Sequence, residues 1–238
     1  MTAMSLNSSM FVVEDKMNRY QRLLDLSSFS KEKLSILQSK KVLLIGVGGV
    51  GEYVATSLVT NGVENLTIVD FDQVELSNLN RQILLEEEDV GQDKVSIVQK
   101  ALKNRHSSAS ISSIKERVDS HNINSIIHGF DLVIDAVDNW ESKLVISKEA
   151  HKQKKPHLHI GVDGDKGQWC LFVHKSLLDI VDDKVILEKK DGVMGPMVGS
   201  IASLASIDAI HYLCEDDVEI DTLYYFDSIP HRLGQMKL

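Results

Sequence analysis

Short, nearly continuous apolar runs alternate along the chain with longer stretches in which apolar residues recur every third or fourth position. This predicts strands alternating with helices, the pattern of an α/β domain. The apolar run Val42–Ile45 stops directly at a glycine, and Leu66–Val69, Ala109–Ile114, Leu132–Ile134 and Pro156–Val162 read as further strands. Runs that are apolar at successive positions suit a parallel sheet buried on both faces. Helices are predicted after the first glycines, from about Lys94 to Arg105, over Ile123–Ile127, and ending across Ala150–Lys155. Trp169–Val173 then reads as a strand, and Pro196 starts an apolar helix through Ile201, Leu204, Ile207 and Ile210. Leu223–Phe226 reads as the final strand. At the other end, Met17, Tyr20, Leu23, Leu24 and Leu26 mark an amphipathic helix, broken by Ser27, Ser28 and Ser30 before a second short one. The expected organisation is one domain over 1–238, with a helical segment over 1–40, an α/β core over 41–238, and a charged, mobile crossing loop at about 179–195.

The first strand and the glycines behind it carry the chemistry. Gly46, Gly48 and Gly51 satisfy G-x-G-x-x-G after a strand and at the start of a helix. The first permits a tight turn, the second lets backbone approach a phosphate, and the third lets helix pack close to strand. Phosphate would rest on the free N–H groups of that helix. The second strand delivers Asp70 about 20 residues further on, where an acid can bind ribose hydroxyls. Together these predict a Rossmann-like, doubly wound nucleotide-binding unit; glycines kept only for packing are the alternative.

Asn78, Arg81 and Gln82 cluster where the chain leaves that strand, and Asp72 stands beside them. A guanidinium there meets phosphate oxygens in two-pronged fashion. Lys94 falls in the first turn of its helix, where a cation is disfavoured unless an anion lies nearby. Asp135 and Asp138 lie at and just past the end of a strand, the edge on which the glycine loop opens. A carboxylate there suits Mg2+ shared with phosphates; Asp138 as a helix N-cap, a role Asn139 could share, is the other reading. Arg19 and Arg22 sit one turn apart, as a solvated basic face or as a phosphate clamp. His157 and His159 share a strand face with His151 just before them, but a third zinc ligand at workable geometry is not evident, which favours solvated or hydrogen-bonded histidines.

Length and charge narrow the class. The 238 residues suffice for a sizeable core. A net charge of -9, with both signs interspersed, gives no nucleic-acid or anionic-membrane surface. Cys170 and Cys214 lie in apolar surroundings and read as buried, reduced thiols. With no leader and no apolar run of spanning length, a soluble cytoplasmic enzyme is expected.

RYQR at 19–22, GVGGVG at 46–51, IVDFDQVELSNLNRQ at 68–82, VGQDK at 90–94, DAVDN at 135–139 and GVMGPMVG at 192–199 resemble, in order and spacing, the ubiquitin-activating-type adenylyltransferases of the ThiF/MoeB/HesA family. Among these the chain is most similar to the bacterial activators of sulfur carriers in molybdopterin and thiamine biosynthesis. The resemblance implies an eight-stranded, mostly parallel sheet with some antiparallel strands, and a homodimer. It also implies binding of ATP and Mg2+ and adenylation of the C-terminal glycine of a small ubiquitin-like carrier ending in Gly-Gly. By resemblance, Gly46, Gly48, Gly49 and Gly51 lie at the nucleotide, Asp70 and Asp72 belong to its site, and Asn78, Arg81 and Lys94 bind phosphates. Asp138 would orient Mg2+, and Arg22 would reach the γ-phosphate of the other protomer. Many bacterial members carry two C-x-x-C zinc pairs, absent from this sequence. No zinc is therefore expected. The crossing loop also lacks a thioester-forming cysteine, which implies chemistry that stops at the acyl-adenylate. The alternatives are adenylation of a peptide or other carboxylate, a non-catalytic partner subunit, and an NAD-dependent oxidoreductase.

Overall fold

A computed structural model describes residues 19–181 and 192–238. In chain order it contains α1 (Gln21–Leu24), α2 (Lys31–Ser39), β1 (Lys41–Ile45), α3 (Gly49–Thr60), β2 (Asn65–Val69), α4 (Lys94–Arg105), β3 (Ser110–Ile114), α5 (Ile123–Ile126), β4 (Leu132–Asp135), α6 (Trp140–Lys152), β5 (His157–Asp163), β6 (Lys166–Phe172), α7 (Gly195–Leu213), β7 (Thr222–Ser228) and β8 (His231–Lys237). Among the described residues the strands form one eight-stranded sheet in the order β3-β2-β1-β4-β5-β6-β7-β8. From β3 to β5 all pairings are parallel; β5 to β8 are joined antiparallel. The mostly parallel, mixed α/β sheet expected from the sequence is the one present.

Strand residues alternate between two apolar layers. Val42, Leu44, Leu66 and Ile68 point into the larger core, covered by α2, α3, α4 and α7. Leu43, Ile45, Val69 and Val133 point the other way, toward Ile123 and Ile127 around α5 and Ile146 and Ala150 of α6. Both faces of the central strands β1 and β4 are buried, which is why Val42–Ile45 and Leu132–Ile134 are apolar throughout, while the edge strand β3 is only partly covered and carries serines. Burying one such Leu or Ile contributes about 1.5–3 kcal/mol, so the paired layers carry most of the fold's stabilisation.

The amphipathic segment before β1 is two short helices with the serine break between them, and α2 is capped by Ser30, whose hydroxyl accepts the Lys33 N–H. Tyr20 is buried, its hydroxyl 2.6 Å from His106 Nε2, and Arg19 donates to the Arg105 carbonyl at the end of α4. The start of this helical segment, including Met10 and Met17, lies outside the described residues, as does the crossing loop over 182–191. Gly195 already belongs to α7, one residue earlier than the loop boundary read from sequence.

The expectation of a final strand at Leu223–Phe226 is corrected: β7 is followed by β8, paired with it from Thr222↔Lys237 to Ser228↔His231. The missed strand is an edge strand, exposed along nearly its whole length and carrying charges rather than alternating apolar residues. Gly234 in its centre makes room for Tyr225, whose ring a Cβ would meet at 2.2 Å.

Candidate active site

The strand order reverses between β1, which neighbours β2, and β4, which leads on to β5. Ligands of doubly wound sheets bind outside the carboxyl ends of strands at such a switch point. A cavity of about 1040 Å3 opens there. Gly46, at φ +92°, turns the chain out of β1 so tightly that a Cβ would lie 2.7 Å from the Ala136 carbonyl oxygen leaving β4. Gly48 caps α3 with no side-chain hydrogen bond, and Gly48, Gly49 and Val50 line the cavity, so the positive end of α3 faces it. Gly51 stands behind the loop, off the cavity wall, where a Cβ would be 2.0 Å from the Gly46 carbonyl oxygen.

Asp70 accepts the N–H groups of Val47 at 2.8 Å and Asp72 at 2.9 Å, tying the end of β2 to the glycine loop. Burial raises its carboxyl above the ordinary range, although the Lys94 cation and both N–H donors act against it. Lys94 is buried at the first position of α4, its ammonium 3.4 Å from Asp72 Oδ2. Arg81 donates to the Ser77 carbonyl and Asn80 Oδ1, both at 2.9 Å. Buried Asn78 accepts the Glu75 N–H, which leaves its amide nitrogen a contact with Ser77 at the 3.5 Å limit. Asp70, Asp72, Asn78, Arg81, Lys94 and Asp138 all line this one cavity. Asn139 is the N-cap of α6, accepting the Ser142 N–H at 2.8 Å, so Asp138 is not that helix's cap residue. Arg22 does not line the cavity of its own chain; its side chain is fully exposed, 3.8 Å from Asp25.

One charged cluster escaped the sequence reading. Lys143 donates to Asp135 Oδ1 at 2.6 Å and to the Ile160 carbonyl at 2.7 Å. His159 Nδ1 is 2.8 Å from Asp135 Oδ2, and Gln168 Nε2 is 3.3 Å from His159 Nε2. An acceptor at Nε2 requires the proton on Nδ1, so neutral His159 donates to Asp135. His157 Nε2 stands 3.3 Å from the same oxygen without an aligned hydrogen bond, and its ring stacks on Phe172. Burial alone would raise the Asp135 carboxyl; Lys143 and His159 more than offset it and hold it well below the usual range. Burial and the Lys143 cation lower His159 to about 4. Fully buried and bonded on both oxygens, Asp135 is not open to a metal. His159 is of the hydrogen-bonded kind expected, whereas His157 is buried without a hydrogen bond and is held by its stacking on Phe172. The usable sequence signal was the spacing of His157 and His159 on the face that meets the end of β4; nothing marked Lys143.

No set of three or more His, Cys, Asp or Glu suited to a metal ion occurs among the described residues. Cys170 and Cys214 are buried free thiols, raised by burial to about 12 and about 11. No helix among the described residues is long and apolar enough to cross a membrane.

A sequence model of the ThiF family matches residues 20–238. This chain belongs to the ThiF family. It is 30% identical over 233 residues to the molybdopterin-synthase adenylyltransferase of Escherichia coli (strain K12), spanning 94% of each chain. It is 33% identical over 211 residues to a relative from Gracilaria tenuistipitata var. liui named "Probable molybdopterin-synthase adenylyltransferase", covering 86% of this chain and 59% of that relative. To the sulfur carrier protein adenylyltransferase of Thermus thermophilus it is 32% identical over 164 residues, 69% of this chain and 60% of the relative. Among solved structures, E. coli MccB with ATP superposes with a TM-score of 0.82 at 22% identity, covering 92% of this chain and 71% of that one, a likeness of fold. The ThiF-family chain is an adenylyltransferase, and the oxidoreductase alternative falls with that membership.

Proposed function

We propose that the cavity binds ATP with Mg2+ and that the chain activates the C-terminal glycine carboxylate of a small ubiquitin-like sulfur carrier as an acyl-adenylate. The observation that carries this reading is the convergence of the α3 N-terminus, Asp70, Asn78, Arg81, Lys94 and Asp138 on one cavity. Its volume, about 1040 Å3, is at the upper end of the roughly 300–1,000 Å3 usual for ligand sites, room for a nucleotide and an extended peptide tail. The names of the relatives support the acceptor class.

In the reaction a carboxylate oxygen attacks the α-phosphorus, the new O–P bond forms, and the bond to the β-phosphate breaks. Pyrophosphate leaves with the electron pair. Anion approaches anion, so neutralisation and positioning govern the rate, and no general base is required of a carboxylate already ionised at neutral pH. Lys94 and Arg81 supply positive charge from the β2 side of the glycine loop. Asp70 holds the loop by the Val47 N–H and faces the nucleotide from a fixed position. One wall carboxylate suits Mg2+, which is bound through one or two carboxylates plus substrate phosphates; Asp138 would hold it, and the ion would add charge neutralisation at the phosphates. Arg22, exposed and away from its own cavity, is read as serving the partner's site in a homodimer.

ATP–pyrophosphate exchange tests this reading, with purified protein, MgATP and Gly-Gly-ended carriers against a carrier-free control. Carrier-dependent exchange is expected. MgATP binding with no exchange for any carrier would abandon the carrier reading and move the assignment to a peptide or other carboxylate.

A further inference from the structure

We propose that Lys143 is the cavity's binding group for the acceptor carboxylate and that Asp135 is its positioning residue. This rests on the reading of the cavity as an adenylation site. Lysine is almost never buried without a partner, and Lys143 is 6% exposed. An ammonium has three donors. Two are taken, by Asp135 Oδ1 at 2.6 Å and the Ile160 carbonyl at 2.7 Å, and Lys143 itself lines the cavity. Asp135 is fully buried behind it. The pair therefore presents its positive end, with the third donor, to the cavity.

Four elements hold that end in place. Asp135 closes β4, Lys143 stands in α6, Ile160 and His159 belong to β5, and Gln168 on β6 meets His159. A pair needed only for packing would gain little here, because a buried ion pair is often no more stabilising than apolar residues of the same volume. Its location also separates it from the phosphate-binding cations. Arg81 and Lys94 enter from the β2 side of the glycine loop, whereas Lys143 enters from the β4 and β5 side, next to Asp138, Asn139 and Trp140 on the wall. An acceptor carboxylate held by Lys143 is thus set against the nucleotide from the opposite side to the phosphate clamp.

The test measures binding in the presence of Mg2+ and the non-hydrolysable analogue AMPCPP, using Gly-Gly-ended ubiquitin-like carriers and the same carriers with a C-terminal carboxamide. The wild type is expected to prefer the carboxylate form at least tenfold. The double variant Asp135→Asn/Lys143→Met, which removes both buried charges together, is expected to bind AMPCPP and the carboxamide carrier like the wild type while losing the preference. Lys143→Arg should restore part of it. Undiminished preference in a double variant that still binds AMPCPP would reduce the pair to a packing role. If the double variant does not fold, Lys143→Gln keeps amide donors without the charge, and an unchanged preference there overturns the proposal equally. A wild type that binds AMPCPP but no carrier in either form removes the carrier reading and this inference with it, an outcome distinct from a preference that ignores Lys143.

Discussion

Glu52, on the α3 turn next to Gly51, is fully buried, and its Oε2 accepts the Leu84 N–H at 2.7 Å while Oε1 has no hydrogen-bond partner. Burial pushes the carboxyl up to about 8, despite that N–H and the Lys94 cation, so Glu52 is protonated at neutral pH. A carboxyl whose pKa is raised by folding contributes stability that is whole below its ordinary value of 4.5 and is lost as pH rises toward 8. Glu52→Gln mimics the protonated form. It should melt like the wild type at pH 5 and several degrees higher at pH 9; equal melting temperatures at both pH values would mean that Glu52 is ionised within the fold at little cost. Arg81 and Lys94 work differently. Neither belongs to the apolar core; Arg81→Ala should leave melting nearly unchanged, whereas Lys94→Ala, which empties a buried position and takes away the cation facing Asp70, should lower it. Each should lower exchange on the order of 10²-fold, the loss seen when one charge-stabilising donor is removed. Full turnover in Arg81→Ala would show that its guanidinium does not meet the phosphates.

At the scale of elements, the glycine loop is defined by two close backbone approaches. Gly46 lies against the end of β4 and Gly51 against Gly46, and both would-be Cβ contacts are with backbone, which has no rotamer to escape into. Gly51→Ala should therefore destabilise by about 3 kcal/mol or more, at or above the usual range for overpacking, and weaken nucleotide binding by displacing the loop. Urea unfolding of the variant against the wild type checks this; a loss under about 1 kcal/mol, the lower end of that range, would mean that α3 slides without penalty. The β7–β8 hairpin obeys the opposite logic. Gly234 there yields space to Tyr225, and the strand is held by its ladder to β7, with little apolar surface of its own.

At the scale of the whole molecule, the cavity gathers residues from both halves of the sheet, yet Arg22 stays outside it. If two chains complete one another's sites, mixing inactive Arg22→Ala protein with inactive Asp138→Ala protein should regenerate one competent site per heterodimer and recover about a quarter of wild-type exchange in a statistical mixture, where half the dimers carry one working site of two. No recovery, after subunit exchange is verified by mass, would confine Arg22 to its own subunit or to the surface.

Much of this was present in the linear sequence. The buried strands were readable because a parallel strand covered on both faces must be apolar at consecutive positions, as Val42–Ile45 is, and the nucleotide loop because G-x-G-x-x-G answers to local backbone geometry. Asp70 was legible through its distance from that loop, Arg81 through its place where the chain leaves the second strand, and Lys94 through its place in the first turn of a helix, where a cation needs an anion nearby. What only the tertiary structure decided are contacts between residues distant in sequence or weakly patterned. Asn139, not Asp138, became the cap of α6; β8 formed on an edge with no apolar alternation; and Glu52 was buried behind the loop, where its neutral form is favoured. Asp135, Lys143, His159 and Gln168 met only when β4, α6, β5 and β6 were packed side by side. Periodicity records which way a side chain faces, and a buried charge is set by what it faces.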